Sequence, residues 1–216
     1  MALEALAHRG TTWPSWARTP QDGLRPAAVL VLFGVLDDRP AHHAARAVAA
    51  DLDLLLVGRS TALTHHPGQV AFPGGRIDPE DDGPVAAALR EAREETGLDP
   101  AGVGVLGTLA TLPVPVSRHV VTPVLAWWTT PTPVGVVDHR ESAAVFRVPV
   151  ADLVDPANRG TVVFTNGSGI HRTPAFEVAG HVVWGFTGAV LDHLLGELEW
   201  AEPWDRARPI ALPGTA

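Results

Sequence analysis

The amino-acid sequence predicts an α+β fold in which helices pack against a mixed β-sheet. Strand-like apolar runs predominate along the chain, and two helical stretches interrupt them, one in the middle and one near the end. This pattern is typical of a sheet with helices on its faces. The chain has 216 residues, of which 46% are hydrophobic and 19% are charged, so it can bury a core as one domain.

The first part of the chain predicts an arm followed by two buried strands. Residues 1–25 carry tryptophans and prolines without periodicity and predict an irregular N-terminal arm, which could begin with a short helix. Continuous apolar runs at Ala27–Leu36 and Leu52–Arg59 predict buried strands. The charged stretch between them, Asp37–Asp51, predicts an inserted loop.

The middle of the chain predicts a short strand, a glycine turn and a helix. Gln69–Phe72 is strand-like and leads to a turn at Pro73–Gly75. A loop rich in Asp, Pro and Gly follows. Pro84 then suits the first turn of a helix that ends near Thr96, and Gly97 suits its C-terminal cap.

The second half predicts further strands and a closing helix. At Trp184–Leu198 the apolar residues are spaced for one helical face. We therefore expect one domain at 26–200, followed by a C-terminal tail at 201–216. The strand-like runs before that helix are Val103–Thr111, Val120–Thr129, Gly135–Val137, Ala143–Val148, Thr161–Phe164 and Ile170–Phe176.

The composition argues against several classes of function. A net charge of −8 disfavours a nonspecific nucleic-acid binder, whose affinity depends on a basic surface. The chain has no cysteine, which excludes a thiolate zinc site and a cysteine nucleophile. All basic residues are arginine, so Schiff-base chemistry on lysine is excluded as well.

The sequence also predicts a protein without a membrane segment. The N-terminus lacks a basic segment followed by an apolar stretch, so we expect no secretion signal. The longest apolar runs are far shorter than a membrane span. We therefore expect a soluble, cytoplasmic protein.

The helix at Pro84–Thr96 carries the clearest chemical signal. At ~100° per residue, Glu91, Glu94 and Glu95 project from one side of the helix, and Arg90 lies beside Glu94. Like charges this close repel each other, which makes sense if a hard divalent cation such as Mg²⁺ or Mn²⁺ binds there. The alternative is a solvated acidic face that binds nothing.

This segment resembles the signature of the Nudix hydrolases, Gly-x5-Glu-x7-Arg-Glu-U-x-Glu-Glu-x-Gly-U, in which U is a bulky aliphatic residue. Arg90-Glu91, Glu94-Glu95 and Gly97-Leu98 match its second half. The first half departs from it, because Asp81 replaces the usual glutamate and eight rather than seven residues separate Asp81 from Arg90.

The upstream sequence is similar to the coenzyme A branch of that family. The matching segments are Leu54–Ser60, His66–Val70 and Phe72–Gly75. Thr64 departs from the pattern, since many members have arginine at that position. With further matches downstream, the resemblance covers roughly residues 26–196.

The resemblance implies an α/β/α sandwich with a central mixed β-sheet, and a metal site on the acidic helix. Glu91 and Glu95 would bind Mg²⁺ or Mn²⁺, and Glu94 would share the ligation or act through a water. Arg90 would hold a glutamate in place by a forked pair of hydrogen bonds.

Further residues follow from the same resemblance. Gly74 and Gly75 would let the backbone approach metal and phosphate closely, although an ordinary tight turn is the alternative. We expect Asp81 to support its loop rather than bind metal. The general base stays open between Glu95 and Glu141, and Glu141 could equally be an ordinary exposed loop residue.

Arg59, His66 and Gln69 are the expected substrate contacts. Arg59 could pair with a phosphate or with an acid such as Asp78. His66 could touch the ligand or only fix the loop.

The implied activity is a Mg²⁺- or Mn²⁺-dependent cleavage of the pyrophosphate of coenzyme A or its thioesters, giving 3′,5′-ADP and (acyl-)4′-phosphopantetheine. Two alternatives stay open: the same chemistry on ADP-ribose, NADH or a dinucleoside polyphosphate, and a nucleotide-binding regulator without turnover. Thr64 keeps the first alternative open, because a cation for the terminal phosphate is missing unless Arg59, Arg76 or Arg118 supplies it. The expected partner is a small nucleotide, with no nucleic acid and no membrane, and the arm at 1–25 could form a homodimer.

Overall fold

A computed structural model describes residues 2–14, 17, 23–35, 41–60, 68–166 and 169–212. Its main sheet is built around β1 (Arg25–Val35), which pairs in parallel with β7 (His119–Trp128). On its other edge β1 pairs antiparallel with β2 (Leu52–Arg59) near one end and with β4 (Gly74–Arg76) near the other. Since one parallel pair lies among antiparallel ones, the predicted mixed sheet is confirmed.

The remaining strands extend this sheet and form a second one. They are β3 (Val70–Ala71), β5 (Val103–Thr108), β6 (Leu112–Val114), β8 (Ser142–Pro149), β9 (Arg159–Asn166), β10 (Gly169–Val178) and β11 (His181–Val183). In the main sheet, β2 also pairs with β3 and β8, while β7 pairs with β5 and β6, all antiparallel. The second, antiparallel sheet has the order β11–β10–β9.

Helices cover both faces of the main sheet. They are α1 (Ala2–Arg9), α2 (Gly83–Thr96), α3 (Val150–Val154) and α4 (Gly185–Glu197). Along β1, alternate residues point to opposite faces, so Leu30 and Leu32 pack under helix α2 while Val31 and Phe33 face the opposite core. Burying each such side chain contributes about 2 kcal/mol. With α2 on one face and α1, α3 and α4 contributing to the other core, the predicted α/β/α sandwich is confirmed.

Described residues near both ends of the chain are packed into the fold. The N-terminal stretch that we expected to be an irregular arm begins with α1, whose Leu3 and Leu6 are buried together with Trp13. In the C-terminal tail, Pro209 bridges Thr161 of β9 and Ile210 is buried. These apolar side chains of the arm are thus buried within the same protein chain, and the homodimer stays a prediction.

One strand prediction is wrong and several short elements were not predicted. Gly135–Val137 is not a strand, and Pro73–Gly75 is not only a turn, because Gly74 and Gly75 belong to β4. The sequence analysis assigned no separate element to β6, α3 or β11. Each has five residues or fewer, and a strand this short forms only because a neighbouring strand pairs with it. Within the described residues, no helix combines the length and the apolar character needed to cross a bilayer.

Candidate active site

Helix α2 packs its alanine side against the sheet and directs Glu91 and Glu95 toward the glycines of β4. Ala87, Ala88 and Ala92 are fully buried against the sheet, and their small size lets the helix lie close to it. The helix ends where Gly97 adopts φ 72°, a left-handed conformation that favours glycine. Both ends predicted from Pro84 and Gly97 are thereby confirmed to within one residue.

Two of the glutamates of α2 contact the glycines of β4. The backbone N–H of Gly74 donates to Oε2 of Glu95 at 3.0 Å. The carboxylate of Glu91 lies over Gly75, where a Cβ atom would stand 2.3 Å from Glu91 Oε1. A side chain at that position would displace the carboxylate, so the glycine pair is more than a turn: it makes room for two carboxylates beside the backbone.

Burial and mutual repulsion perturb both carboxylates. The pKa of Glu95 is raised to about 7, chiefly by burial and also by the nearby charge of Glu91, against the opposing hydrogen bond from Gly74. Burial also raises the pKa of Glu91, although the charge of Arg90 counteracts this. Ionised carboxylates in such a place are costly without a cation beside them.

Arg90 is the centre of the hydrogen bonds around these acids. Its Nε and Nη2 donate to the two carboxylate oxygens of Asp81, each at 2.9 Å, and Nη1 donates to Glu91 at 3.2 Å and to Glu94 at 3.3 Å. The expectation that the fork holds a glutamate is therefore wrong, since the forked pair goes to Asp81. Arg90 reaches Glu91 and Glu94 by single bonds only.

Asp81 supports the loop, as expected. It accepts the fork of Arg90 and the backbone N–H of Asp78, and these hydrogen bonds lower the pKa of Asp81 to about 2. Nη2 of Arg90 also donates to the carbonyl of Arg76 and lies 3.5 Å from the carboxylate of Asp78. The sequence analysis did not predict this ion pair of Asp78, whose only signal was the Asp-x-x-Asp spacing of a turn.

The C-terminal end of β2 brings a second set of predicted residues toward Glu95. Arg59 N–H donates to the carbonyl of Gln69, and Ser60 N–H donates to the carbonyl of Glu141, both at 2.9 Å. The charges of Arg59 and Glu141 both act on the pKa of Glu95, the former lowering and the latter raising it. Arg59, Glu95 and Glu141 therefore share one neighbourhood.

The guanidinium of Arg59 keeps one donor unused within the described part of the chain: its Nε is buried and has no hydrogen-bond partner there. The alternative partner Asp78 lies beside Arg90 instead. His66 and Thr64 lie outside the described residues.

The donor set fits a hard divalent cation that keeps part of its own hydration. Among the described residues, no group of three or more His, Asp or Glu side chains is arranged to hold a metal ion. Mg²⁺ is commonly held by one or two carboxylates, with water and substrate oxygens completing the shell. Glu91 and Glu95, with the open backbone at Gly75, supply that minimum, whereas Glu94 is 59% exposed and bonded to Arg90.

Comparison with known proteins identifies similar sequences and folds. The family model described as NUDIX domain matches residues 40–165. A protein named uncharacterized Nudix hydrolase NudL in Photorhabdus laumondii is 34% identical over 149 residues, covering 68% of this chain and 77% of that protein. The protein of the same name in Escherichia coli K12 is 36% identical over 141 residues, covering 65% of this chain and 72% of that one.

Solved structures show a likeness of fold. The crystal structure of the Nudix hydrolase RenU from M. smegmatis has a TM-score of 0.52 and 22% identity, and the match covers 85% of this chain and 91% of that one. The matched family segment, residues 40–165, contains the acidic side of α2, both glycines of β4 and Arg59.

Proposed function

Because this chain belongs to the Nudix hydrolase family, we propose that it cleaves the pyrophosphate of coenzyme A or its thioesters with the help of Mg²⁺ or Mn²⁺. The products would be 3′,5′-ADP and (acyl-)4′-phosphopantetheine. Water adds to one phosphorus, and the bond from that phosphorus to the bridging oxygen breaks.

One observation carries the choice of substrate: the segment that resembles the coenzyme A motif continues directly into the carboxylate site. β2 and β3, which contain much of that segment, pair at Val57 with Ala71 and at Gly58 with Val70. Three residues after β3 comes Gly74, whose N–H donates to Glu95. A nucleotide that contacts this segment therefore has its pyrophosphate within reach of α2.

Glu91 and Glu95 would hold the metal, beside the Gly74–Gly75 backbone. When bound, the ion would neutralise negative charge on the phosphoryl oxygens and lower the pKa of water. Arg90 fixes Glu91 through the single bond from Nη1 while its fork to Asp81 fixes Arg90 itself. The two glutamates are thus positioned before substrate arrives.

The attacking water needs a carboxylate to accept its proton, and two candidates remain. Glu95 is half-buried, and its raised pKa suits a group that takes a proton near neutral pH. Glu141 is exposed, next to Ser142, which pairs with Arg59 across β8 and β2. Either residue would transfer the proton of water while Arg59 binds a phosphoryl oxygen through its unpartnered Nε.

The remaining predictions belong to the same proposal. Gln69 is half-buried beside Arg59 and would contact the substrate with it. His66 and Glu94 keep the roles that the resemblance implies, as a substrate contact and as a residue that shares metal ligation. We also propose a cytoplasmic location and leave a homodimer as a prediction.

Product analysis tests the proposal. The protein is incubated with Mn²⁺ or Mg²⁺ and, in parallel, with coenzyme A, ADP-ribose, NADH and a diadenosine polyphosphate. We expect 3′,5′-ADP and phosphopantetheine to form fastest, and the Glu95→Gln variant purified identically controls for contaminating enzymes. Faster turnover of another nucleotide would overturn the coenzyme A assignment, and nucleotide binding without any product would overturn the assignment as an enzyme.

A further inference from the structure

The loop between β7 and β8 crosses the C-terminal end of helix α2. Gly135 N–H donates to the carbonyl of Thr96, the last residue of α2, at 2.9 Å. Val134 packs against the apolar core beneath α2. A Cβ atom on Gly97, directly after the helix, would lie 3.7 Å from the side chain of Val137. The loop is therefore attached to the helix that carries the two site glutamates.

This loop ends in a turn whose last residue is Glu141. Oδ1 of Asp138 accepts the N–H of Arg140 at 2.8 Å, and the carbonyl of Asp138 accepts the N–H of Glu141 at 3.1 Å. The carbonyl of Glu141 in turn accepts the N–H of Ser60 at 2.9 Å. The backbone of Glu141 is thus held on both sides, by the turn before it and by the end of β2.

These contacts bring Glu141 close to the carboxylate site. Ser60, which bonds Glu141, follows Arg59, and Ser142 is the strand partner of Arg59 in the β2–β8 pair. The charge of Glu141 is near enough to Glu95 to raise the pKa of Glu95. Since Glu141 is exposed, the position of its side chain depends chiefly on the conformation of its backbone.

The turn at Asp138 differs from turns of the same type elsewhere in the chain. At Asp99, Asp155 and Asp205 the carboxylate likewise accepts the N–H two residues on, and the carbonyl accepts the N–H three residues on. Proline follows Asp99 and Asp155 and sets the backbone angle that the turn needs. Histidine follows Asp138 instead, so this turn depends more on the hydrogen bond of the aspartate side chain.

We propose that Asp138 is a positioning residue for the proposed reaction: by holding the backbone of Glu141, it keeps the Glu141 carboxylate beside Glu95, where that carboxylate accepts the proton of the attacking water. This inference rests on the proposed function and decides between its two candidate bases.

The hydrogen bond to the backbone, and not the charge of Asp138, performs this task. The side chain of Arg140 also donates to the Asp138 carboxylate, at 2.6 and 3.0 Å. That side chain is 89% exposed, and ion pairs of such exposed groups contribute little. Asparagine can accept the same backbone N–H and should therefore replace aspartate at this position.

The test measures kcat and KM for coenzyme A with Mn²⁺ in variants of the turn. In Asp138→Ala we expect kcat to fall by about tenfold at an unchanged KM, because a small displacement of Glu141 impairs proton transfer but not binding. Asp138→Asn should recover most of that loss. The matched control is Asp205→Ala, which removes the same 2.8 Å hydrogen bond from a turn that also lacks proline, and it should keep the wild-type kcat.

A double-variant cycle separates positioning from a general loss of structure. Glu141→Gln should lower kcat by about a hundredfold, the contribution of a general base. Adding Asp138→Ala to Glu141→Gln should lower kcat no further, since Asp138 acts only through Glu141. Losses that add, or a fall in Asp138→Ala no greater than in Asp205→Ala, would overturn the inference.

The outcomes also separate this inference from the function on which it rests. A normal kcat for Glu141→Gln on coenzyme A would overturn the inference while the proposed function stands. If the wild type hydrolyses another nucleotide instead, the coenzyme A assignment falls, and the same cycle on that nucleotide decides the role of Asp138. If the wild type hydrolyses none of the four nucleotides of the product analysis, both are overturned.

Discussion

Arg90 and Arg159 each anchor one region of this molecule, but they meet very different numbers of carboxylates. Arg90 lies within 3.5 Å of four carboxylates, those of Asp78, Asp81, Glu91 and Glu94. Arg159 is fully buried, and among the described residues the only carboxylate it pairs with is that of Asp192. The first region carries excess negative charge and the second is close to balance.

The contacts of Arg159 stabilise the fold. Its guanidinium lies 4.6 Å from the ring centre of Phe176 and 4.5 Å from that of Trp204. Its Nε and Nη1 are buried without hydrogen-bond partners among the described residues. Stacking and one ion pair thus fasten the C-terminal tail to β9 and α4, a geometry that stabilises the fold.

The comparison shows that a region that stabilises the fold and a region that binds a ligand differ in how their charges are paired. A region that only stabilises the fold matches each buried charge with a partner. The α2–β4 region instead crowds Glu91 and Glu95 together beside bare backbone, a cost that a bound cation would remove. Substitutions in the two regions should therefore have opposite signatures: loss of activity in one, loss of stability in the other.

The largest effect should come from Glu95→Gln. We expect turnover with Mn²⁺ to fall by about a thousandfold, since a lost metal ligand forfeits several kcal/mol of transition-state stabilisation. The metal-free variant should unfold at the same temperature as the wild type or higher. Because the pKa of Glu95 is raised in the folded protein, ionising this carboxylate at neutral pH favours the unfolded chain. A neutral glutamine removes that cost.

The matched control for Glu95→Gln is Glu80→Gln, the same chemical change at an exposed position of the loop before α2. It should leave turnover and unfolding unchanged. Near-normal turnover in folded Glu95→Gln would contradict the metal-site assignment.

Arg159→Met should show the opposite signature. We expect a loss of about 3 kcal/mol in the free energy of unfolding, measured in urea, because the carboxylate of Asp192 is left without its buried partner. Turnover per folded molecule should stay at the wild-type level. In the double variant Arg159→Met/Asp192→Asn, part of the lost free energy of unfolding should return. If the double variant is as unstable as Arg159→Met alone, stacking rather than the ion pair dominates.

Gly75→Ala should impair catalysis without unfolding the protein. The new Cβ would stand 2.3 Å from Glu91 Oε1, so the carboxylate has to move away from its position. We expect kcat to fall by about tenfold, since small misplacements of reacting groups cost this much or more. The control is Gly135→Ala, because a Cβ atom at Gly135 would meet open space, and this variant should keep the wild-type kcat. An equal fall of kcat in the two variants would contradict the role of Gly75.

Asp81→Asn should have the smallest effect. Losing one charged acceptor of the fork loosens Arg90 and, through it, Glu91, so we expect turnover to fall only a few-fold. The pKa of Asp81 is lowered to about 2, so its stabilisation is complete above the ordinary value of 3.8 and is lost as the pH falls through about 2. Acid unfolding of the wild type and the variant measures this, and superimposable acid transitions would contradict the pairing.

Local signals explain which parts of the fold could be predicted. The apolar run at Leu52–Arg59 matches β2 at both ends, and Pro84 and Gly97 locate α2 to within one residue. Gly135–Val137 has a similar apolar character but pairs with no strand in the described part of the chain, whereas Leu112–Val114 becomes β6 because it pairs with β7. For segments this short, pairing decides the structure, and pairing is not a local property.

The same limit applies to the site. Helix geometry alone places Glu91 and Glu95 on one side of α2. The fork from Arg90 to Asp81 depends on how the loop before α2 folds back, which helical spacing does not encode. Arg159 gave no signal in the sequence, because its partner Asp192 follows 33 positions later on another element.

Direct measurement of Mn²⁺ binding, by electron paramagnetic resonance on the metal alone, tests the central claim. The wild type and Asp192→Asn, which removes a carboxylate from the Arg159 region, should bind Mn²⁺ equally. Glu95→Gln should bind it far more weakly. Unchanged Mn²⁺ binding in Glu95→Gln, or its loss in Asp192→Asn, would contradict the assignment of the metal site to the α2–β4 region.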